Sequence, residues 1–384
     1  MTTLLTTGPT RSTRAAESVA PWRHVDWALL VTVLLTSAFG VLMVYSATQN
    51  RLALEGGDPT LYLKRQAVFV VIGVCAMAAT IAIDYRIMRD FGPLLLAATC
   101  AVLVLVLSPL GSTSRGTQAW FQLGAFQFQP SEFAKVVLVI GLAGFCAEKR
   151  GELDLQNLGK AVGLAAIPIG LIYLQPDLGS SLVLVAITAG ILLVGGARPR
   201  HMAGLVVVAA IGVFAVIQLG VLKEYQLDRL GAFLDPESDT QRSTYNLNQS
   251  KIAIGAGGLT GRGLFEGTQT NLSYVPEQHT DFIFTVVGEE LGLVGGAALL
   301  VAYGVIIWRI WRAAALAKDL SGTLICVGVL TMLMFQIFEN IGMTMGIMPV
   351  TGIPLPFMSS GGSSTIAAFV AVGLVLNVHM RRFS

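Results

Sequence analysis

Apolar residues in this chain come in long runs, each broken by a short polar connection. Ten runs have the length that crossing a bilayer requires, about 17 to 25 residues. They are 26–46, 66–83, 91–110, 131–147, 158–175, 179–196, 202–222, 282–308, 320–345 and 364–380. Strands are shorter than this, and amphipathic helices carry a polar stripe that these runs lack. Pro168 makes the fifth run the weakest, and Glu339 and Asn340 interrupt the ninth. The pattern predicts an all-α polytopic integral membrane protein with about ten transmembrane helices. A polar tail over 1–25 precedes a single transmembrane domain over 26–384, with a large loop at 223–281.

Composition supports this reading. Hydrophobic residues make up 54% of the 384 positions and charged residues only 12%, where soluble domains carry about 25% charged. A net charge of +2 argues against a nucleic-acid partner. The four cysteines, Cys75, Cys100, Cys146 and Cys326, fall in or at the ends of apolar runs and form no Cys-x-x-Cys pair. Buried thiols are expected, with neither a disulfide framework nor a zinc site. Residues 1–22 lack the apolar core and small-residue cleavage site of a signal peptide, and their Thr, Ser and Arg content predicts a disordered tail.

Basic residues set the orientation. One set of connections carries Arg11, Arg14, Arg23, Arg86, Arg89, Lys149, Arg150, Lys160, Arg198, Arg200, Arg309, Arg312, Lys318, Arg381 and Arg382. The opposite short loops carry only Arg51, Lys64, Arg65 and Arg115. The positive-inside rule then places both termini in the cytoplasm and the 223–281 loop outside. The segments with unusual residues, 111–131, 175–180, 223–281 and 346–363, all fall on the outer side.

Several residues in these segments can carry chemistry. Asp281 lies in Pro276-Glu277-Gln278-His279-Thr280-Asp281-Phe282, where a polar cluster meets the eighth apolar run. It reads equally as a helix N-cap and as a partly desolvated general base, and His279 is placed to assist it. On one helix, Asp281 and Glu289 would lie within about 80° of each other. That leaves open a carboxylate path shared with Glu290, suited to a proton or ion relay. Glu132 and Lys135 are three residues apart on one helix face, either paired to hold the bundle or used at a site. Asp177 sits in a Pro- and Gly-bounded break, Gln175 to Gly179.

The segment Gly255 to Gly263, with Arg262, fits neither a P-loop nor a dinucleotide fingerprint. It reads as a phosphate-approaching backbone with Arg262 as counter-charge, or as a flexible hinge. Thr351 to Ser364, with two prolines and paired Gly361 and Gly362, cannot be regular helix. Irregular backbone at membrane depth lines a cavity or packs in protein, so this segment is expected to wall an outward cavity. Trp120 is either an interfacial belt residue or a ring that stacks on sugar.

Five ordered motifs resemble one family, the SEDS proteins (shape, elongation, division and sporulation). They are Gln118 to Gly124, Phe128 to Lys135, Gln175 to Gly179, Pro276 to Phe284 with Gly288 to Gly292, and Gly352 to Ser363. Gln175-Pro176-Asp177-Leu178-Gly179 and Gly267-Thr268-Gln269 look more like the elongation (RodA-type) members than the division (FtsW-type) members. Two positions depart from the common pattern. Ser360 stands in Ser359-Ser360-Gly361-Gly362 where many members have Tyr, and Ala119 stands where Arg commonly precedes Trp.

The resemblance implies a peptidoglycan glycosyltransferase that polymerises lipid II into β-1,4 glycan with inversion, at the outer face of the cytoplasmic membrane, during elongation and shape maintenance. It implies Asp281 as the catalytic base. Trp120, Glu132, Lys135, Asp177, Arg262, His279, Ser359, Gly361 and Gly362 would line the cavity or bind substrate. Lys135, Arg262 or a divalent cation (Mg or Mn) would meet the leaving-group charge. The implied partners are lipid II, nascent glycan, a class B penicillin-binding protein and other membrane proteins of the elongation machinery. A lipid II flippase, an ion-coupled transporter and a scaffold for a transpeptidase are rival readings.

Overall fold

Aspartate caps five of the helices among the described residues. In the computed structural model, which describes residues 24–114, 117–124, 126–149, 153–218 and 242–383, the first helix, α1 (Trp27–Leu54), is capped by Asp26, whose carboxylate accepts from Leu29 N at 3.1 Å. Helix α2 spans Leu61–Ala82. The short α3 (Tyr85–Asp90) is capped by Asp84, and α4 covers Gly92–Val106. After a small sheet come α5 (Pro130–Glu148), α6 (Leu155–Leu174), capped by Asp154, and α7 (Leu178–Val194), capped by Asp177. Helix α8 is Pro199–Gln218, α9 is Arg242–Gly257 and α10 is the single turn Thr268–Asn271. The chain ends with α11 (Ile283–Ala315), α12 (Leu320–Met345), capped by Asp319, and α13 (Gly362–Met380). Each of these caps satisfies a backbone N–H that the first helical turn leaves without a partner.

Among the described residues, all ten predicted runs fall on helices. Seven are long and apolar enough to cross a membrane, and α4, α7 and α8 are shorter apolar helices. Burial sorts them. The apolar windows of α13 and α5 are 83% and 78% buried, against 28% for α2, α6 and α11. Helices α5, α12 and α13 therefore form the inner layer, and the others turn much of their apolar surface outward, as lipid-facing helices do. The tail before residue 24, Arg115 and residues 219–241 of the long loop lie outside the described residues.

The sheet between α4 and α5 was not foreseen in the all-helical reading. Strands β1 (Ser112–Ser114), β2 (Thr117–Leu123) and β3 (Phe126–Phe128) pair antiparallel in the order β1-β2-β3. The signal was present: a seven-residue run with β-branched and aromatic residues, bounded by Gly116 and Gly124. Aromatic contacts hold the sheet to the bundle end. Phe126 meets Phe69 of α2 at 5.7 Å, and Phe128 stacks on Phe133 of α5 at 5.2 Å.

Helix α11 is broken at Gly292 (φ 62°, ψ −158°), a conformation essentially restricted to glycine. The Gly255–Gly263 segment repairs this break. Arg262 N and Gly263 N donate to the carbonyls of Glu289 and Glu290 at 3.0 and 3.1 Å. Leu293 N and Val294 N donate to the carbonyls of Gly258 and Leu259 at 2.9 and 3.1 Å. The close approach needs glycine, because a Cβ at Gly257 would overlap Gly288 O and one at Gly261 would overlap Glu290 O. This segment is thus neither a phosphate cradle nor a hinge.

Gly261→Ala places a Cβ at φ +83° against Glu290 O and is expected to destabilise by about 1–3 kcal/mol or more. Gly255→Ala, inside α9 with nothing within 4 Å of its added Cβ, should be neutral or stabilise by about 0.5–1 kcal/mol. Thermal midpoints of the two variants in detergent check the contrast.

Candidate functional site

The four unusual segments converge on one cavity of about 330 Å³ at a single end of the bundle. Each wall has a different origin. The start of α2 contributes Tyr62, Arg65 and Phe69; the sheet contributes Thr117, Trp120 and Gln127; the starts of α5 and α7 contribute Glu132, Lys135 and Asp177. His279, Thr280 and Asp281 face them, and the 351–364 backbone closes the circle.

Asp281 stands one residue ahead of the cap position it could have held. Helix α11 begins at Ile283 with Phe282 at its N-cap, and no side chain bonds there. The carboxylate is half-buried in a series of turns and lines the cavity. Its Oδ2 lies 3.4 Å from where a Cβ on Gly352 would stand. The turns around it are tied from several sides. Asp281 N donates to Glu277 O at 3.1 Å, and Ser360 N donates to His279 O at 2.9 Å. The His279 ring packs edge-on against Tyr62, with centroids 4.7 Å apart.

Glu289 and Glu290 do not continue a carboxylate path from Asp281. Glu289 caps α10 instead: it accepts from Gln269 N at 2.7 Å, Thr270 N at 3.0 Å and Thr270 Oγ1 at 2.8 Å. Thr270 passes the tie on, because Gln278 Nε2 donates to Thr270 Oγ1 and to Thr285 Oγ1, each at 3.0 Å. Glu290 accepts from Ser46 Oγ on α1. The 80° relation assumed one continuous helix, and α11 starts two residues too late for it.

Glu132 and Lys135 form a buried ion pair, Nζ to Oε1 2.8 Å, with side chains 4% and 2% exposed. The pair forms the cavity floor. Behind it the space narrows to about 10 Å³, lined by Met332, Gln336 and Ser359 among others. Asp177 combines two tasks. Its Oδ1 accepts from Ser180 N at 2.9 Å, which caps α7, while Oδ2 accepts from Gln129 Nε2 at 3.1 Å and Ser131 Oγ at 3.3 Å. The Asp177 carboxylate therefore welds the α7 start to the α5 start, beside the cavity.

The 351–361 backbone is satisfied within the protein, as membrane depth requires. Ile353 O accepts from Asn340 Nδ2 at 2.7 Å, Pro356 O from Tyr303 OH at 2.6 Å, and Ser359 O from Gln66 Nε2 at 3.2 Å. Ser359 is turned inward. Its Oγ accepts from Leu355 N at 2.8 Å, so it shapes the loop without lining the main cavity. Gly361 and Gly362 do line it, and a Cβ on Gly362 would press into the Phe69 ring at 2.7 Å.

Of the sequence candidates, Asp281, His279, Trp120, Glu132, Lys135, Asp177, Gly361 and Gly362 come together at the cavity. Arg262 does not: it is exposed beside the α11 break, its Nε donating to Ala256 O at 3.1 Å. Sequence reasoning missed Arg65, Tyr62 and Gln129. Arg65 entered only as a loop charge, and nothing local to 62–69 marks it as facing the cavity. Among the described residues no three His, Cys, Asp or Glu side chains cluster to hold a metal ion. The divalent cation that the resemblance implies finds no ready-made protein site among the described residues.

The chain matches, over residues 26–383, the family model of FtsW, RodA and SpoVE described as cell cycle protein. It is 38% identical over 356 residues to stage V sporulation protein E of Bacillus subtilis (strain 168), covering 92% of this chain and 96% of that one. It is 36% identical over 359 residues to the peptidoglycan glycosyltransferase MrdB of Escherichia coli (strain K12), covering 94% of each. Among solved structures it resembles a chain from a peptidoglycan synthase complex, described for the structural coordination of polymerization and crosslinking. That match has a TM-score of 0.78 at 32% identity, over 93% of this chain and 98% of the other. The chain belongs to the FtsW/RodA/SpoVE family of multi-pass membrane proteins. A sporulation member stands as near as MrdB, so overall similarity does not resolve the elongation-type lean of Gln175 and Gly267–Gln269. Gln175 itself is buried, with its Nε2 donating to Leu103 O at 3.0 Å. Its amide serves packing of α4, which a carboxylate could not do in the same way.

Removing one partner of a buried ion pair typically costs about 3–5 kcal/mol, while replacing both is often neutral. Lys135→Met should therefore lower the thermal midpoint sharply, and Glu132→Gln/Lys135→Met should recover most of the loss. Asp177→Ala should cost about 1 kcal/mol through the lost cap, and Asp177→Asn, which can still cap, much less. Melting curves of the four variants decide both.

Proposed function

We propose that this protein is a peptidoglycan glycosyltransferase that polymerises lipid II into β-1,4-linked glycan strands at the outer face of the cytoplasmic membrane. The single observation that carries the reading is Asp281: a half-buried carboxylate on the wall of a 330 Å³ cavity at the polar end of a membrane bundle, one residue ahead of the α11 cap position. Ligand pockets span about 300–1,000 Å³, so this cavity suits the reacting sugars, with the lipid chains left outside in the bilayer. The distribution of Lys and Arg supports an outward-facing cavity and cytoplasmic termini.

In this reading Asp281 takes the proton from the acceptor sugar 4-hydroxyl. The freed oxygen forms a bond to the donor anomeric carbon from the face opposite the leaving group, which gives inversion. The bond from that carbon to the lipid pyrophosphate breaks, and the electron pair leaves with the phosphate oxygen. General bases of this kind contribute typically about 10²–10⁴-fold. Arg65 on the wall supplies positive charge for the pyrophosphate, while Lys135 at the floor is paired with Glu132. Trp120 offers an aromatic face to a sugar ring. A class B penicillin-binding protein is the proposed transpeptidase partner, within an assembly of elongation-machinery membrane proteins. The elongation role rests on the Gln175 to Gly179 and Gly267 to Gln269 motifs. Transport finds less support, since the space behind the Glu132–Lys135 pair shrinks to about 10 Å³.

The test is polymerisation of labelled lipid II by the purified protein with its penicillin-binding partner, whose transpeptidase is blocked. Wild type should form glycan polymer, and Asp281→Ala should fall by about 10²-fold or more. Polymer formation by Asp281→Ala at the wild-type rate sinks the assignment. Movement of lipid II across vesicles without any polymer selects the flippase reading instead.

A further inference from the structure

Asp281 is carried by turns, and a base on turns needs an external hold to stay within reach of its proton. Its own peptide is bound by one residue from the rigid core. Asn340 lies on α12, fully buried, in the inner layer of the bundle. Its Nδ2 donates to Asp281 O at 2.8 Å and to Ile353 O at 2.7 Å. These carbonyls belong to two different cavity walls, the 277–282 turns and the 351–361 segment. One amide with two hydrogens thus clips both walls to one helix. The orientation of the amide is forced, because a flipped side chain would aim its oxygen at two carbonyl oxygens. Asn340 does not line the cavity itself, so it reaches the reaction only through what it holds.

The alignment of the two walls matters because of Gly352. It sits one residue before Ile353, has φ +78°, and comes so close to Asp281 that an added Cβ would lie 3.4 Å from Oδ2. The distance between the carboxylate and the facing backbone is therefore set one residue from the Ile353 carbonyl that Asn340 grips. We propose that Asn340 is a positioning residue for glycosyl transfer, fixing the Asp281 carboxylate against the Gly352–Ile353 wall through paired hydrogen bonds to Asp281 O and Ile353 O. The inference rests on the reading of Asp281 as the base.

A misplacement of about 1 Å costs on the order of 10²-fold in rate when geometry controls the step. Asn340→Leu keeps the size of the side chain and removes both donors. Asn340→Ser keeps one short donor. Both are purified with the penicillin-binding partner and assayed on labelled lipid II, alongside Asp281→Ala and the double variant Asn340→Leu/Asp281→Ala. Thermal midpoints are recorded for each. Asn340→Leu should lower kcat by about 10–100-fold with KM within about twofold. Asn340→Ser should fall between it and wild type. In the Asp281→Ala background, Asn340→Leu should remove nothing more from the residual rate, as expected for residues acting as one unit.

A raised KM with unchanged kcat, or full additivity with Asp281→Ala, overturns the proposal. So does failure of both Asn340 variants to fold, which would make Asn340 part of the scaffold alone. Wild-type kcat in Asn340→Leu with an inactive Asp281→Ala overturns this inference and leaves the base intact. An active Asp281→Ala overturns both.

Discussion

Backbone that leaves helical geometry inside a hydrocarbon layer must find its hydrogen-bond partners within the protein. Most of what is distinctive in this structure follows from that requirement. The 351–361 segment is irregular, and Asn340, Tyr303 and Gln66 reach out from three helices to meet its carbonyls. The break in α11 at Gly292 is met by backbone groups of the Gly255–Gly263 segment. At the other end of α13, Asn377 does the same for the end of α2. Its Nδ2 donates to Thr80 O at 2.6 Å and also to Ile83 O, and its Oδ1 accepts from Tyr85 N at 3.2 Å. Each irregular stretch is therefore purchased with a dedicated polar side chain or a glycine-lined backbone seam.

The same requirement explains why polar residues are so few and so placed. Glu289 and Glu290 are fully buried, yet they lie beside donors from α10 and α1 and serve the fold. Glu132 and Lys135 neutralise one another at the cavity floor. Asp281 differs in position: it stands one residue ahead of the cap position of its helix, on the cavity wall, whereas Asp26, Asp84, Asp154, Asp177 and Asp319 sit at the caps of theirs. A carboxylate on a cavity wall is within reach of what enters the cavity. Asp177 shows the alternative, with its carboxylate engaged by Ser180, Gln129 and Ser131.

Much of the architecture was legible before any coordinates. Ten apolar runs gave ten helices, because crossing hydrocarbon needs length and apolarity and little else. The strands at 112–128 were overlooked because hydropathy over a wide window swamps a short alternating pattern. The Gly255–Gly263 segment was misread for a related reason. Glycine marks a close approach, and only the fold says what approaches: here it is the α11 backbone, and Arg262 is left outside the cavity.

The sequence by itself determined the membrane class, the ten apolar helices and the polar segments from which a site is built. These depend on local composition, and each can be judged within a window of about 20 residues. Tertiary structure alone decided which of the polar residues meet. It set Asp281, which read equally as a cap and as a base, one residue ahead of the α11 cap position, bound Glu289 to α10, and brought Arg65 and Asn340 to the cavity region from helices far apart in sequence. Those outcomes turn on where a helix starts to within two residues and on contacts spanning 19 positions for Thr270 to Glu289 and 59 for Asn340 to Asp281. Local sequence carries no record of either.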